Sequence, residues 1–123
     1  GDTISLLGFD NMENDSKAFS QVTEDFVILL NHYPEDCNYF SKTAVQSGTH
    51  IDIDFTGHAH GGLIRLPFVN GLYAPGQGLF PKYTDGTYSV NDTTLVVSRG
   101  VGNSGWTQRF SDPFELVLFT LEK

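Results

Sequence analysis

The sequence has little cysteine, few basic residues and no long apolar run, and each shortage excludes a class of protein. Cys37 is the only cysteine, so the chain has no internal disulfide framework. Seven Lys and Arg residues face fifteen Asp and Glu, which gives a formal net charge of −8. Because such a surface repels a phosphate backbone, we expect no nucleic acid partner. No apolar run approaches the roughly 18 residues of a membrane-spanning helix.

Apolar residues are nevertheless abundant enough to form a core. Leu, Ile, Val and Phe together make up 36 of the 123 residues, which excludes disorder of the whole chain. Thirteen Gly and five Pro residues indicate many turns and argue against a helical bundle. The length suits one domain, or part of one.

The first half of the chain alternates between strand and helix patterns. Its apolar runs are short, and the run FVILL is continuously apolar, as in a strand that is covered on both faces. Asp36 is a candidate helix cap, and Gly48 suits the residue that follows a helix. The predicted elements are a strand Thr3–Phe9, a polar loop Asp10–Ser16, a short helix Ser16–Val22, a strand Phe26–Leu30, a helix from Asp36 to about Gln46 and a strand Ile51–Thr56.

The second half is richer in turns. A glycine-flanked turn is followed by an irregular segment, and Asp85-Gly86 between β-prone flanks predicts a hairpin. The predicted elements are a turn Gly57–Gly62, an irregular hairpin or long loop Leu63–Lys82, a hairpin Lys82–Val90, a strand Thr94–Ser98, a glycine-rich loop Arg99–Gly105 and a strand Glu115–Leu121. This order predicts an α/β domain with a mixed sheet and β hairpins.

Three histidines lie where predicted strands end. His32 follows the FVILL run, and His58 and His60 follow the strand Ile51–Thr56. Ligands of open α/β sheets gather at the carboxyl ends of strands, and neutral imidazole is a common ligand of Zn, Mn, Fe and Ni. The spacing of these histidines alone leaves two interpretations open, namely a metal site of unknown metal and a set of polar residues that cap the strands. His50 lacks such company, and we interpret it as an ordinary surface residue.

Two motifs resemble those of the calcineurin-like metallophosphoesterases. Ile28-Leu29-Leu30-Asn31-His32-Tyr33-Pro34 is similar to their I-L-L-x-H-x-P segment, and Gly57-His58-Ala59-His60-Gly61-Gly62 is similar to their G-H-x-H-G-G motif. The segments Ala74–Tyr83 and Val97–Ser104 resemble a bacterial branch of that superfamily. The resemblance covers nearly the whole chain, from the Gly8-Phe9-Asp10 turn to the predicted strand Glu115–Leu121.

The resemblance implies a metal site that is shared with a missing part. By similarity, His32 and His58 are ligands of one ion and His60 is a ligand of the other, in a centre of two divalent ions such as Mn, Zn or Fe. The family's Asp-x-His, Gly-Asp-x-x-Asp and Gly-Asn-His blocks lie upstream, and nothing in residues 1–123 matches them. The whole chain is therefore expected to be the C-terminal half of a β-sandwich flanked by helices, inactive alone and with its ion site incomplete or empty.

The resemblance also implies a substrate and a partner. The substrate is expected to be a phosphomonoester, phosphodiester or pyrophosphate, with Arg65 and Arg99 as candidate phosphate contacts. The expected partners are the missing N-terminal half and, through an exposed sheet face, a second copy of the chain. The alternative is a non-enzymatic binding or assembly module that keeps part of the fold. A cytoplasmic location and a membrane association through an upstream segment both remain open.

Three further features receive structural interpretations. Asp52 and Asp54 alternate with apolar residues, which favours a solvated strand face over metal ligation. Cys37 lies on the apolar stripe of the predicted helix and is interpreted as core filler. An apolar wall beside the site, suited to a lipid-like substrate tail or simply to core packing, is predicted from Phe68, Leu72, Tyr73, Leu79 and Phe80.

Overall fold

The computed structural model describes residues 3–9, 15–103 and 108–122. Its strands and helices follow the predicted order through the first half of the chain and then continue as short hairpins. In chain order they are β1 (Ser5–Gly8), α1 (Asp15–Phe19), β2 (Val27–Leu30), α2 (Cys37–Gln46), β3 (Ile53–Thr56), β4 (Arg65–Leu66), β5 (Val69–Gly71), β6 (Tyr73–Ala74), β7 (Gly78–Leu79), β8 (Gly86–Val90) and β9 (Thr93–Val97).

A mixed five-stranded sheet organises the chain. Its strand order is β1-β2-β3-β9-β8. The first four of these strands are parallel, and β8 pairs antiparallel with β9. Two small antiparallel hairpins, β4–β5 and β6–β7, lie outside this sheet. The predicted α/β class with a mixed sheet and hairpins is therefore confirmed.

One face of the sheet packs against the helices. Leu29, Asp54 and Leu95 are aligned across β2, β3 and β9, so their side chains share this face. Phe40 and Ala44 of α2 are buried against it. The face therefore forms the core of the described structure, as expected from an amphipathic helix over parallel strands.

The opposite face of the sheet is only partly covered. Ile28 pairs with Leu6 of β1 and with Ile53 of β3, which places all three on this face. Leu6 is 61% exposed, whereas Ile28 and Ile53 are buried. Phe119 of the C-terminal segment packs edge-on against Phe55, with ring centroids 5.2 Å apart. Within the described residues, an apolar edge of the sheet, centred on β1, therefore remains open.

Three local predictions are wrong. The hairpin turns at Asn91 and Asp92, both with positive φ, because β8 begins at Gly86 and pairs with β9. Residues 115–121, all within the described ranges, form no strand; most of their apolar side chains are exposed, with no neighbouring strand to pair with. Asp36 precedes α2 but makes no side-chain cap hydrogen bond, since a short 3₁₀ turn, Pro34–Asp36, leads into the helix.

Other boundaries agree more closely. The short first helix ends at Phe19, three residues earlier than predicted. Gly48 follows α2 with φ of +89°, as its predicted exit role requires. The predicted loop Asp10–Ser16 lies mostly outside the described residues, as does the end of the glycine-rich loop Arg99–Gly105. In the described ranges the longest helix has ten residues, too short to cross a bilayer.

Candidate functional site

Three neighbouring parallel strands deliver their carboxyl ends to one edge of the sheet. His32 follows β2, His58 and His60 follow β3, and the loop that starts at Arg99 follows β9. Parallel strands present their following loops on the same side, which is why ligand sites of such sheets lie there. Residues that are far apart in the sequence therefore meet at this edge.

The structure brings His32 and His58 into direct contact. Nε2 of His32 lies 2.9 Å from Nδ1 of His58, and the ring centroids are 4.7 Å apart. The ring of Tyr33 packs edge-on against both imidazoles. Burial lowers the pKa of His58, and His32 and His60 lower it further, so His58 favours the neutral form that ligates metal.

The turn that carries His58 and His60 has unusual backbone geometry. His58 and His60 both have positive φ, at 51° and 46°. Non-glycine residues seldom adopt this region unless the surroundings enforce it, and such residues cluster at functional sites. Gly62 packs tightly against β5, since a Cβ at this position would overlap the Cα atom of Gly71, and this packing helps to hold the turn in its conformation.

The carboxyl group of Glu35 lies beside the contact between His32 and His58. A Cβ placed on Gly76 would overlap Oε1 of Glu35 and would lie 3.7 Å from Nε2 of His58. Within the described residues, Oε2 of Glu35 is buried without a hydrogen-bond partner. Burial raises the pKa of Glu35, and the neighbouring His32 moderates the rise. Glu35 was not predicted as a site residue, although it follows the His-x-Pro motif directly.

His60 faces a different set of partners. Its Nδ1 lies 3.2 Å from the carbonyl oxygen of Gly102 and 3.3 Å from a guanidinium nitrogen of Arg109. The Nε of Arg109 donates to the same Gly102 carbonyl at 2.8 Å. The Nδ1 atom of His60 is thus directed towards the loop after β9.

A network of ion pairs surrounds this turn. Each of three arginines contacts at least one carboxylate, and the side chains of the network are at most about one-quarter exposed. Arg65 also donates to the carbonyl of Gly61, and the carboxylate of Asp112 packs so closely against Gly61 that a Cβ there would overlap it. The members of the network are Arg65, Asp85, Arg99, Arg109, Asp112 and Glu115.

The two predicted substrate arginines both belong to this network. Arg65 pairs with Asp85 at 2.9 Å, and Arg99 pairs with Glu115 at 3.0 Å. Their guanidinium groups are therefore held in place near the site by carboxylates. Phosphate binding by Arg65 and Arg99 stays a prediction.

Asp54 is buried, contrary to the prediction of a solvated strand face. Its side chain is fully enclosed under α2, and within the described residues neither carboxylate oxygen has a hydrogen-bond partner. Burial raises the pKa of Asp54 to about 7, and the nearby Cys37 and Asn31 limit the rise. Asp52 is partly buried, with Oδ2 accepting from the backbone N–H of Val27. The predicted core position of Cys37 and the exposed position of His50 are both observed.

The His32–His58 geometry fits two ligands of one ion. Two nitrogens bonded to one ion at about 2.0–2.1 Å lie about 3 Å apart, close to the observed separation. Among the residues that the structure describes, no group of three or more His, Cys, Asp and Glu side chains is arranged to hold a metal. The chain therefore offers part of a coordination shell.

Sequence reasoning missed several residues of this region, namely Tyr33, Glu35, Gly102, Arg109 and Asp112. The spacing of Arg109 and Asp112 predicts an ion pair only if the segment between them turns. Nothing in the sequence indicates that this segment contacts the G-H-x-H-G-G turn. His60 and Arg109 contact the backbone carbonyl of Gly102, and a backbone contact cannot be predicted from the pattern of side chains.

Comparison with known proteins gives relatives of one kind. The chain is 34% identical over 98 residues to an uncharacterized metallophosphoesterase, YkuE, of Bacillus subtilis; this alignment covers 79% of the chain and 31% of the relative. It is 31% identical over 129 aligned positions to the UDP-2,3-diacylglucosamine pyrophosphatase LpxG of Chlamydia trachomatis, with 95% of the chain and 37% of the relative covered. An uncharacterized metallophosphoesterase of Aquifex aeolicus is 25% identical over 120 residues, with 94% and 41% covered.

The chain spans about a third of the length of these relatives. No family model matches it, and no solved structure matches it.

Proposed function

Since the chain belongs to the calcineurin-like metallophosphoesterase superfamily, we propose that it is the C-terminal part of a binuclear metal-dependent hydrolase of phosphate esters or diphosphates. The observation that carries the proposal is the 2.9 Å approach of His32 and His58 at the carboxyl ends of two adjacent parallel strands. This approach, which is also a hydrogen bond between the two rings, brings two potential ligand nitrogens to one point.

Each histidine has a role in the proposal. His32 and His58 would hold one ion, and His60, which is directed towards Gly102, would hold the other. Two adjacent divalent ions supply Lewis acidity and an activated water, and they offset the charge of an anionic substrate on an acidic protein. The histidines contribute neutral ligands only, so the proposal assigns the carboxylates that balance two dications mainly to the part of the protein upstream of Gly1.

The substrate proposed here is a phosphate ester or diphosphate with an apolar part. Two observations support an apolar part. Two Chlamydia relatives are named UDP-2,3-diacylglucosamine pyrophosphatases, and apolar side chains are exposed on the hairpins that follow the histidine turn. Phe68 is fully exposed, and Leu79 and Phe80 are 68% exposed. The segment 57–84 contains no Asp or Glu but contains Arg65 and Lys82, which suits an anionic headgroup.

The open face of the sheet suggests how the parent protein is completed. We propose that the upstream part contributes a second sheet that packs on the face of Leu6, Ile28 and Leu30, which would complete a sandwich. Leu6 and Leu30 are 61% and 45% exposed in the chain. Large exposed apolar surfaces in a protein usually mark an interaction surface.

Metal removal tests the proposed function directly. We expect the full-length protein to hydrolyse an aryl phosphate or diphosphate, to lose this activity after chelator treatment, and to regain it with Mn²⁺ or Zn²⁺. The 123-residue chain assayed in parallel should remain inactive with either metal, because it lacks a ligand that bridges the ions. Turnover by the full-length protein that resists chelation would refute the proposal.

The upstream reading frame separates the enzyme from the alternative module. Asp-x-His, Gly-Asp-x-x-Asp and Gly-Asn-His blocks before Gly1 are required by the enzyme proposal. A frame without them would instead favour a binding or assembly module.

A further inference from the structure

Arg109 is the most heavily engaged polar side chain near the histidines, and the proposed function gives it no role. Its side chain is 5% exposed. The guanidinium donates to the carbonyls of Gly102 and Arg99, pairs with Asp112 at 3.0 Å and approaches Nδ1 of His60 at 3.3 Å. It also lies over the ring of Phe114, 5.3 Å from its centroid. A group held at so many points is fixed in position.

The contacts at His60 restrict which ring nitrogen can bind a metal. Nδ1 faces both a carbonyl oxygen, which can only accept, and a guanidinium nitrogen, which can only donate. A proton on Nδ1 satisfies Gly102 and leaves the lone pair of Nε2 free. A bare Nδ1 satisfies Arg109 instead and places the proton on Nε2, where it would block a ligand bond.

We propose that Arg109 is a positioning residue for His60. Its Nε fixes the Gly102 carbonyl 3.2 Å from Nδ1, while its Nη2 makes its shorter contact with the Arg99 carbonyl and the longer one, 3.3 Å, with Nδ1. The Gly102 carbonyl is therefore the partner of Nδ1–H, and the ring presents an unprotonated Nε2 to the ion. This inference rests on the proposed function, in which His60 is a ligand. Ligating histidines usually donate their second ring N–H to a carbonyl or carboxylate, and loss of such a partner costs about 10–100-fold in metal affinity or activity.

Asp112 completes the arrangement. Its Oδ2 accepts from Nη1 of Arg109 at 3.0 Å, and its carboxylate packs against Gly61, the residue after His60. One buried carboxylate therefore links the arginine to the histidine turn. A lysine at position 109 would keep the charge but would lose the planar fork that reaches the two carbonyls and Asp112 together.

Nitrogen NMR on the labelled 123-residue chain tests this proposal without any activity measurement. The ¹⁵N shifts of His60 at a pH where the ring is neutral show which nitrogen carries the proton. We expect the proton on Nδ1 in the wild-type chain and a mixture of both tautomers, or Nε2–H, in Arg109→Lys and Arg109→Met. Arg99→Lys is the matched control, because Arg99 belongs to the same network but its side chain does not contact Gly102 or His60, and it should keep the wild-type pattern.

Each possible NMR result either supports or overturns the proposed role of Arg109. An Nε2–H tautomer in the wild type, or an unchanged Nδ1–H in a folded Arg109→Met chain, overturns the proposal. If that variant does not fold by its amide spectrum, Asp112→Asn is measured instead and should show a partial loss of Nδ1–H. Failure of the proposed function appears separately, in the chelator assay, and leaves the tautomer result intact.

Discussion

At the scale of single residues, Asp54 places a carboxyl group in the core between the sheet and α2. Its raised pKa of about 7 lies well above the ordinary value of about 3.9. Between these values, the unfolded chain releases a proton that the folded chain keeps. The free energy of unfolding therefore falls as the pH rises from about 4 to about 7, and stays lowered above that.

Removal of this carboxylate should stabilise the chain at alkaline pH. Asp54→Asn keeps the size of the side chain but cannot ionise, so we expect its stability gain over the wild type to grow from pH 5 to pH 8, by on the order of a few kcal/mol. Denaturant unfolding at four pH values measures the gain. Asp52→Asn is the control, because Asp52 accepts a hydrogen bond from Val27 and its loss should bring no gain. Parallel stability curves for Asp54→Asn and the wild type would contradict this account.

The sequence located the strand-end histidines better than it located Asp54, although their role as metal ligands stays a prediction. Histidines at strand ends can be located from the strand pattern alone. The alternation around Ile53 and Phe55 shows only that Asp54 faces away from them, and it does not show which face the helix covers. Here α2 covers the face of Asp54, and Ile53 is buried on the opposite face, so the alternation does not mark a solvated face.

At the scale of elements, the close approach of the histidine turn to β5 depends on two glycines. A Cβ on Gly62 would overlap the Cα atom of Gly71, and a Cβ on Gly71 would contact Gly62 in return. Backbone atoms cannot move aside as flexible side chains can. The turn that carries His58 and His60 is therefore held against the β4–β5 hairpin.

A pair of alanine variants separates this crowding from backbone strain. Gly62 and Gly78 have nearly the same φ, at +83° and +78°, but a Cβ on Gly78 would meet nothing within 4 Å. We expect Gly78→Ala to cost about 1–2 kcal/mol from strain alone. Gly62→Ala should cost at least about 2 kcal/mol more and should disturb the His58 resonances. Thermal unfolding and NMR measure both effects, and equal losses in the two variants would be the contrary result.

The hairpin at the sheet edge shows why turn signals can mislead. Asp85-Gly86 is a strong turn signal, yet the chain turns at Asn91-Asp92, where both residues have positive φ. Asn and Asp also tolerate that region, so both sites were chemically suitable. The pairing of β8 with β9 places the turn at Asn91-Asp92, and this pairing depends on the tertiary structure and not on the local sequence.

At the scale of the whole molecule, the uncovered sheet face should make the chain associate with itself. Leu6 and Leu30 lie on the same face and remain 61% and 45% exposed. We expect light scattering of a dilution series to show dimers or larger species. Leu6→Thr combined with Leu30→Thr should shift the population towards monomer. Phe68→Ser removes an even more exposed apolar side chain from a hairpin and should leave the association unchanged.

A monomer at every concentration of the wild-type chain would contradict this expectation. The predicted strand at residues 115–121 does not form, and no strand of the described structure pairs with this segment. A strand needs a neighbour for its hydrogen bonds, and sequence propensity cannot supply one.

The activity of the full-length protein with His58 replaced tests the central claim most directly. Removing an outer partner of a ligand costs about 10–100-fold, so His58→Ala, which removes a ligand itself, should lower metal-dependent turnover of an aryl phosphate by about 100-fold or more. His50→Ala is the matched control, since His50 is exposed and, among the described residues, pairs with Asp52. We predict near-wild-type turnover for the control and almost none for His58→Ala at similar stability. Turnover by His58→Ala within a few-fold of the wild type would contradict the assignment of a metal centre to this edge of the sheet.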